Sequence, residues 1–199
     1  MPDVALGLKA HSGWAALVAL SVDGNVPELV ERRRIELVDA AEASWAKQPY
    51  HAAEGLEPRE AEALVGRAIA AARRLAAREV GAAVESLRAK RHRVVGIGVL
   101  VGIGMPDWTV AHILSVHARM HKAEGELFRD ALVQAGEPCG LAVTRVAERD
   151  LQERAAKALH LPAATLLERL AAIGRACGPP WARDQKEAAL AAWLALRAH

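Results

Sequence analysis

Val94-Val-Gly-Ile-Gly-Val-Leu-Val101 runs straight into Gly102-Ile-Gly-Met-Pro106. Val94–Val101 carries no charge and is rich in β-branched side chains, the pattern of a strand buried on both faces, as in a parallel sheet. A parallel strand needs a long crossover, usually a helix, to reach its neighbour. One lies just upstream. From Pro58, a residue suited to a helix's first turn, an Ala-rich pattern with Leu64, Ala68, Ala72, Leu75, Val80 and Leu87 continues to about Arg91. Small side chains let such a helix approach a sheet closely, and close packing of the Gly-rich strand on this Ala-rich helix accounts for its glycines. Gly96-x-Gly98 and Gly102-x-Gly104 match neither the dinucleotide nor the P-loop spacing.

Working outward, Val4 to Lys9 is an apolar run, His11-Ser12-Gly13 a tight connection, and Trp14 to Val22 a second β-type run ending at Asp23-Gly24-Asn25. Asp-Gly between such runs signals a hairpin. A third strand, Glu28 to Val38, carries Glu31, Arg32, Arg33 and Arg34 in its middle, which suits an edge that must not recruit other chains. Ala40 to Leu56, with Trp45, Pro49 and Tyr50, reads as a long irregular connection. Beyond Pro106, Asp107 is placed to cap a helix; Pro138 to Val146 reads as a fifth strand, and the remainder is helical with breaks at Leu161-Pro162 and Gly178-Pro179-Pro180. The order β-β-β-α-β-α-β predicts an α/β protein with a mixed five-stranded sheet, three strands antiparallel and then two parallel. Residues 1–199 are expected to form one domain, with C-terminal helices over 149–199 packed on it.

Composition narrows the class. With 52% hydrophobic and 25% charged residues the chain can bury a sizeable core, and a net charge of +2 shows no dense phosphate-binding surface. Cys139 and Cys177 are too few for a disulfide framework or a thiolate metal centre. The N-terminus lacks a basic segment followed by an apolar one, and the longest apolar run, Val94 to Met105, is too short to span a bilayer. The expectation is a cytoplasmic protein with no membrane partner.

The helix after Pro106 carries the candidate chemistry. At about 100° per residue, Val110, Ile113, Leu114, His117, His121, Glu124, Phe128 and Leu132 fall on one stripe, opposite Arg119, Lys122, Glu126 and Asp130. Two imidazoles and a carboxylate thus interrupt a face expected to point into the core, where unpaired polar groups cost a few kcal/mol each. Histidines four apart on a helix can chelate a divalent metal with Glu124 as a third ligand; a His-Glu pair can also do acid-base work on a small molecule. The plainer explanation is a satisfied network in which the histidines bond backbone carbonyls and Glu124 pairs with Lys9 or an arginine. Ala118, where the helical zinc-protease pattern has Glu, argues against that class.

The element order, together with Asp184-Gln-Lys-Glu187-Ala-Ala-Leu190-Ala-Ala near the C-terminus, resembles the ribonuclease H-like superfamily, and within it the Holliday-junction resolvases, whose closing helix is Ala/Leu-rich and preceded by acids. The resemblance implies two divalent ions held between carboxylates, one acid on the first strand and another at the end of the fourth. Asp184 and Glu187 match the closing acids. The first strand instead offers Lys9, in Leu6-Gly-Leu-Lys9-Ala-His11-Ser-Gly-Trp14, and the fourth runs out in Gly102 and Gly104. The expectation is a divergent member with a remodelled site. Lys9, His11, His117, His121 and Glu124 are the candidate catalytic residues, and His117, His121, Glu124, Asp184 and Glu187 the candidate metal ligands. Candidate partners are nucleic acid and a second copy in a homodimer. The leading function is phosphate- or nucleic-acid-directed; the alternatives are a non-catalytic interaction module on a degenerate nuclease fold and a small-molecule enzyme using His-Glu chemistry.

Overall fold

The computed structural model describes residues 1–199. Strands β1 (Asp3–His11), β2 (Trp14–Asp23) and β3 (Val26–Glu36) form an antiparallel meander. Short helices α1 (Ala43–Ala46) and α2 (Pro49–Ala52) precede the long helix α3 (Pro58–Ala89), which leads into β4 (Arg93–Val101). Helices α4 (Val110–Leu114) and α5 (His117–Gln134) follow, then β5 (Val143–Ala147) and helices α6 (Leu151–Ala158), α7 (Ala163–Cys177) and α8 (Arg183–Arg197). The sheet order is β3-β2-β1-β4-β5, with β4 parallel to both β1 and β5. The expected mixed sheet is therefore present, with β3 at an edge.

Strand alternation sorts side chains to two faces. Leu6 and Leu8 of β1, Leu17 and Ala19 of β2, and Ile97 and Val99 of β4 face a core shared with Val65, Ala72, Val80 and Leu87 of α3 and Met120, Leu127, Phe128 and Leu132 of α5. Val18, Leu20 and Leu100 face the other way, onto Leu166 and Leu170 of α7 and the Ala188–Trp193 stretch of α8. Glycines decide how close that second layer comes. Gly7 and Gly98 are register partners on β1 and β4; a Cβ on Gly7 would stand 1.8 Å from the Ala188 carbonyl oxygen, and one on Gly98 2.1 Å from that of Ala191. The glycine face of the strand does meet an Ala-rich helix, but that helix is α8; α3 packs on the opposite face of β4. Both helices carry alanine faces, so composition alone does not assign the partner.

Other boundaries move for local reasons. The expected helix from Asp107 is two helices, because Val116 is extended (φ −145°, ψ 118°), and Thr109, not Asp107, caps the first of them by accepting from the His112 N–H at 3.2 Å. The fifth strand is shorter than Pro138–Val146, since Glu137–Cys139 forms a 3-10 turn. Ala40–Leu56 is not irregular throughout: α1 and α2 seat Ala46 and Tyr50 in the first core. Arg32 is more than an edge charge. Its guanidinium donates to the carbonyls of Gly178 (2.7 Å), Pro180 (2.8 Å), Pro179 (2.9 Å) and Cys177 (3.1 Å), fastening the C-terminus of α7 to β3.

Candidate functional site

The predicted residues assemble as two clusters, not one. The first lies on the α8 face, at the carboxyl ends of β1 and β5. Lys9 shares the strand face of Gly7, two residues earlier, and its side chain is therefore directed at α8. Its ammonium donates to Glu187 Oε2 and lies 3.3 Å from Glu148 Oε1 and 3.4 Å from Asp184 Oδ1. Glu148 follows β5 directly, held by its backbone N–H to the Val101 carbonyl at 3.0 Å. Asp184 and Glu187 come from the first turns of α8, which the glycine contacts bring against β1. Around this core Arg183 Nε bonds Glu187 Oε1 (2.7 Å), Arg129 bridges Glu148 (3.1 Å) and Glu126 (3.2 Å), and His11 Nε2 stands 3.1 Å from Asp184 Oδ1. The His11 ring also stacks on Trp14 at 4.2 Å between centroids.

Opposite charges at this range hold both partners ionised. Burial by itself would lower the Lys9 pKa, but the hydrogen bond and charge of Glu187, with Glu148, carry it above the ordinary lysine value. Burial by itself would raise Glu187; the hydrogen bonds from Arg183 and Lys9 carry it below the ordinary carboxylate value. The set Lys9, Arg129 and Arg183 against Glu126, Glu148, Asp184 and Glu187 leaves one unit of negative charge before His11 is counted. Sequence reasoning missed Glu148, Arg129 and Arg183. An acid directly after the last parallel strand was a usable signal, because the carboxyl ends of parallel strands are where such folds gather their polar groups.

The second cluster lies on the α5 side of the sheet. The expectation that His117 and His121 point into the core is corrected here: both are exposed, and the buried face of α5 is Met120, Ala123, Glu124, Leu127, Phe128, Ala131 and Leu132. Both histidines share the stripe of buried Glu124, Phe128 and Leu132, but they stand in the first turns of α5, where that stripe is left exposed. Glu124 alone is buried, at 4% exposure. It meets neither Lys9 nor an arginine; its Oε1 accepts from His51 Nδ1 (2.8 Å) and from the His51 backbone N–H (3.2 Å). His51, on α2, lies beside both α5 histidines, its ring centroid 5.0 Å from that of His117 and 4.6 Å from that of His121. His117 Nε2 and His121 Nε2 are 3.0 Å apart. Burial first, and then the charge of Glu124, raise the phenol of the neighbouring Tyr50. His51 had no legible signal, since a lone histidine in a connection has no spacing partner.

The sheet lies between the two clusters, so the composite site expected from Lys9, His11, His117, His121 and Glu124 divides into Lys9 with His11 and His117 with His121 and Glu124. The five candidate metal ligands divide likewise, with Asp184 and Glu187 around Lys9.

Across almost its whole length the backbone follows a known arrangement. It superposes on the structure of Thermus thermophilus RuvC with a TM-score of 0.51 at 13% identity, covering 96% of this chain and 92% of that one. The structure of T. thermophilus RuvC in complex with a Holliday junction substrate gives 0.52 at 14% identity, covering 96% and 91%. The chain has the ribonuclease H-like fold. No protein-family model and no curated sequence matches it. No helix of this chain is long and apolar enough to cross a membrane. The two divalent ions that the fold class implies do not fit the α8-face cluster. Lys9 brings a positive charge into contact with Glu148, Asp184 and Glu187, and an ion entering there would meet that charge and displace it from its partners.

Proposed function

We propose that this chain is a non-cleaving ribonuclease H-like module, which uses the fold for recognition and not for two-metal phosphodiester hydrolysis. The observation that carries this reading is the Lys9 ammonium among Glu148, Asp184 and Glu187, a cation supplied by the chain itself. Two-metal hydrolysis requires carboxylates free to hold ions that activate water and stabilise a leaving oxygen. Here the carboxylates are neutralised internally, and a lysine held ionised has no lone pair with which to act as a base. Nucleic acid as the partner draws its support from the fold shared with a resolvase described with a Holliday junction. The near-neutral cleft adds no electrostatic attraction for phosphate.

The test is fluorescence anisotropy on a labelled four-way junction and on a duplex across a salt series, beside a cleavage assay in Mg²⁺ or Mn²⁺. The expected result is no metal-dependent cleavage. Binding that weakens linearly in log salt identifies nucleic acid as the partner; its absence directs the search to protein partners, beginning with self-association. Junction cleavage by wild-type protein, abolished in Asp184→Asn or Glu187→Gln, would overturn the reading.

A further inference from the structure

We propose that His51, His117 and His121 bind one zinc-class divalent ion on the side of α5 away from the Lys9 cluster, with Glu124 orienting His51 from behind. One ligand nitrogen from each histidine lies within 4.8 Å of the other two. Nitrogens bound at the usual 2.0–2.1 Å in a tetrahedral zinc site are about 3.3 Å apart, and His117 Nε2 and His121 Nε2 already stand at 3.0 Å. The i,i+4 spacing on α5 puts those two on one helical face. His51 completes the set from another element, which separates a chelating cluster from two neighbouring surface histidines.

His51 Nδ1 lies 2.8 Å from Glu124 Oε1, so a ring that donates Nδ1–H to that carboxylate offers its Nε2 lone pair to an ion. A carboxylate holding the far nitrogen of a ligating imidazole is the usual outer-shell arrangement of zinc sites; it fixes the ring and raises its basicity. Glu124 is 4% exposed and is held in α5 between buried Ala123 and Leu127, so this support is rigid. The ligands are imidazoles only, a donor set that favours zinc, copper, nickel or cobalt over magnesium and calcium, which take oxygen. His117 and His121 are exposed, so solvent reaches the bound ion. The inference stands on the α5 side alone and does not depend on the non-cleaving reading.

The experiment is isothermal titration of the chelator-treated 199-residue chain with ZnCl₂, with MgCl₂ as a control, and a parallel Co²⁺ titration read in the visible. The expected outcome is unit stoichiometry with a dissociation constant of about 1 µM or tighter, no Mg²⁺ binding at this site, and a tetrahedral Co²⁺ spectrum. His51→Ala, His117→Ala and His121→Ala each lower the affinity by about 100-fold or more, Glu124→Gln by roughly 10–100-fold, and Lys9→Met leaves it unchanged. Glu124 is buried and its variant can fail to fold, so the decision rests on the exposed His117→Ala and His121→Ala, checked by circular dichroism. A wild-type constant weaker than about 100 µM, or zinc binding that survives His51→Ala at full strength, overturns the proposal.

Discussion

On the α8 face of the sheet a lysine carries its own charge into a nest of carboxylates; on the α5 face three imidazoles turn toward one another behind a single buried glutamate. Both clusters join residues far apart in sequence, Lys9 to Glu187 across 178 positions and His51 to Glu124 across 73. The first is a closed set of ion pairs, every acid in reach of a cation that is part of the chain. The second is a set of nitrogen donors with no lysine or arginine among its side chains. The same fold thus builds one cluster whose cation is permanent and another that can respond to what the solution supplies.

Four experiments break or sharpen that contrast, and the largest effect falls on the packing that makes the first cluster. Gly98→Val drives a side chain into the Ala191 carbonyl, 2.1 Å from where its Cβ must lie. Moving α8 away costs about 4 kcal/mol or more, beyond ordinary overpacking, and chemical denaturation should show either that loss or no folded state.

Lys9→Met comes next, at about 3 kcal/mol, because it leaves three partly buried carboxylates without their shared cation. It also reshapes the pH profile. Glu187 is lowered in the folded state, so its contribution is present above its unfolded pKa and lost as pH falls through the folded one. Lys9 is raised, so its contribution is complete below its unfolded pKa, about 10.4, and lost as pH rises through the folded one. Wild-type stability from this cluster is therefore flat from about pH 5 to 10, and the variant lacks the alkaline fall. Mg²⁺, which takes oxygen ligands, should stabilise Lys9→Met more than wild type, since the acids are then released.

For the imidazole cluster, zinc at about 100 times its dissociation constant adds about 2.7 kcal/mol, or roughly 5–10 °C in a chain of this size. Thermal denaturation should show that rise in wild type and Lys9→Met but not in His51→Ala. The smallest effect, about 1–2 kcal/mol, belongs to Arg32→Ala. That variant removes the four carbonyl contacts at the end of α7 and should leave both the alkaline fall and zinc binding as in wild type.

Most of the strand order was legible because it is written in short-range periodicity. Val94–Val101 carries the apolar run of a doubly covered strand, Asp23-Gly24 marks a hairpin, and the Arg32–Arg34 run marks an edge. Asp184 and Glu187 were legible as a pair because they sit together before an alanine-rich helix. Periodicity names a face but not what covers it. His117 and His121 share the stripe of buried Glu124, Phe128 and Leu132 yet stand exposed in the first turns of α5, and nothing near the glycines says which alanine-rich helix they receive.

The β-β-β-α-β-α-β order of elements and the kinds of group available for chemistry are written along the chain, since strand and helix periods depend on residues a few positions apart. Packing in three dimensions settled which groups meet. It placed Lys9 with Glu148, Asp184 and Glu187 on one side of the sheet and His51 with His117, His121 and Glu124 on the other. Such contacts follow from how close two glycines let α8 approach and from which turns of α5 are left uncovered, and neither leaves a periodic trace along the chain.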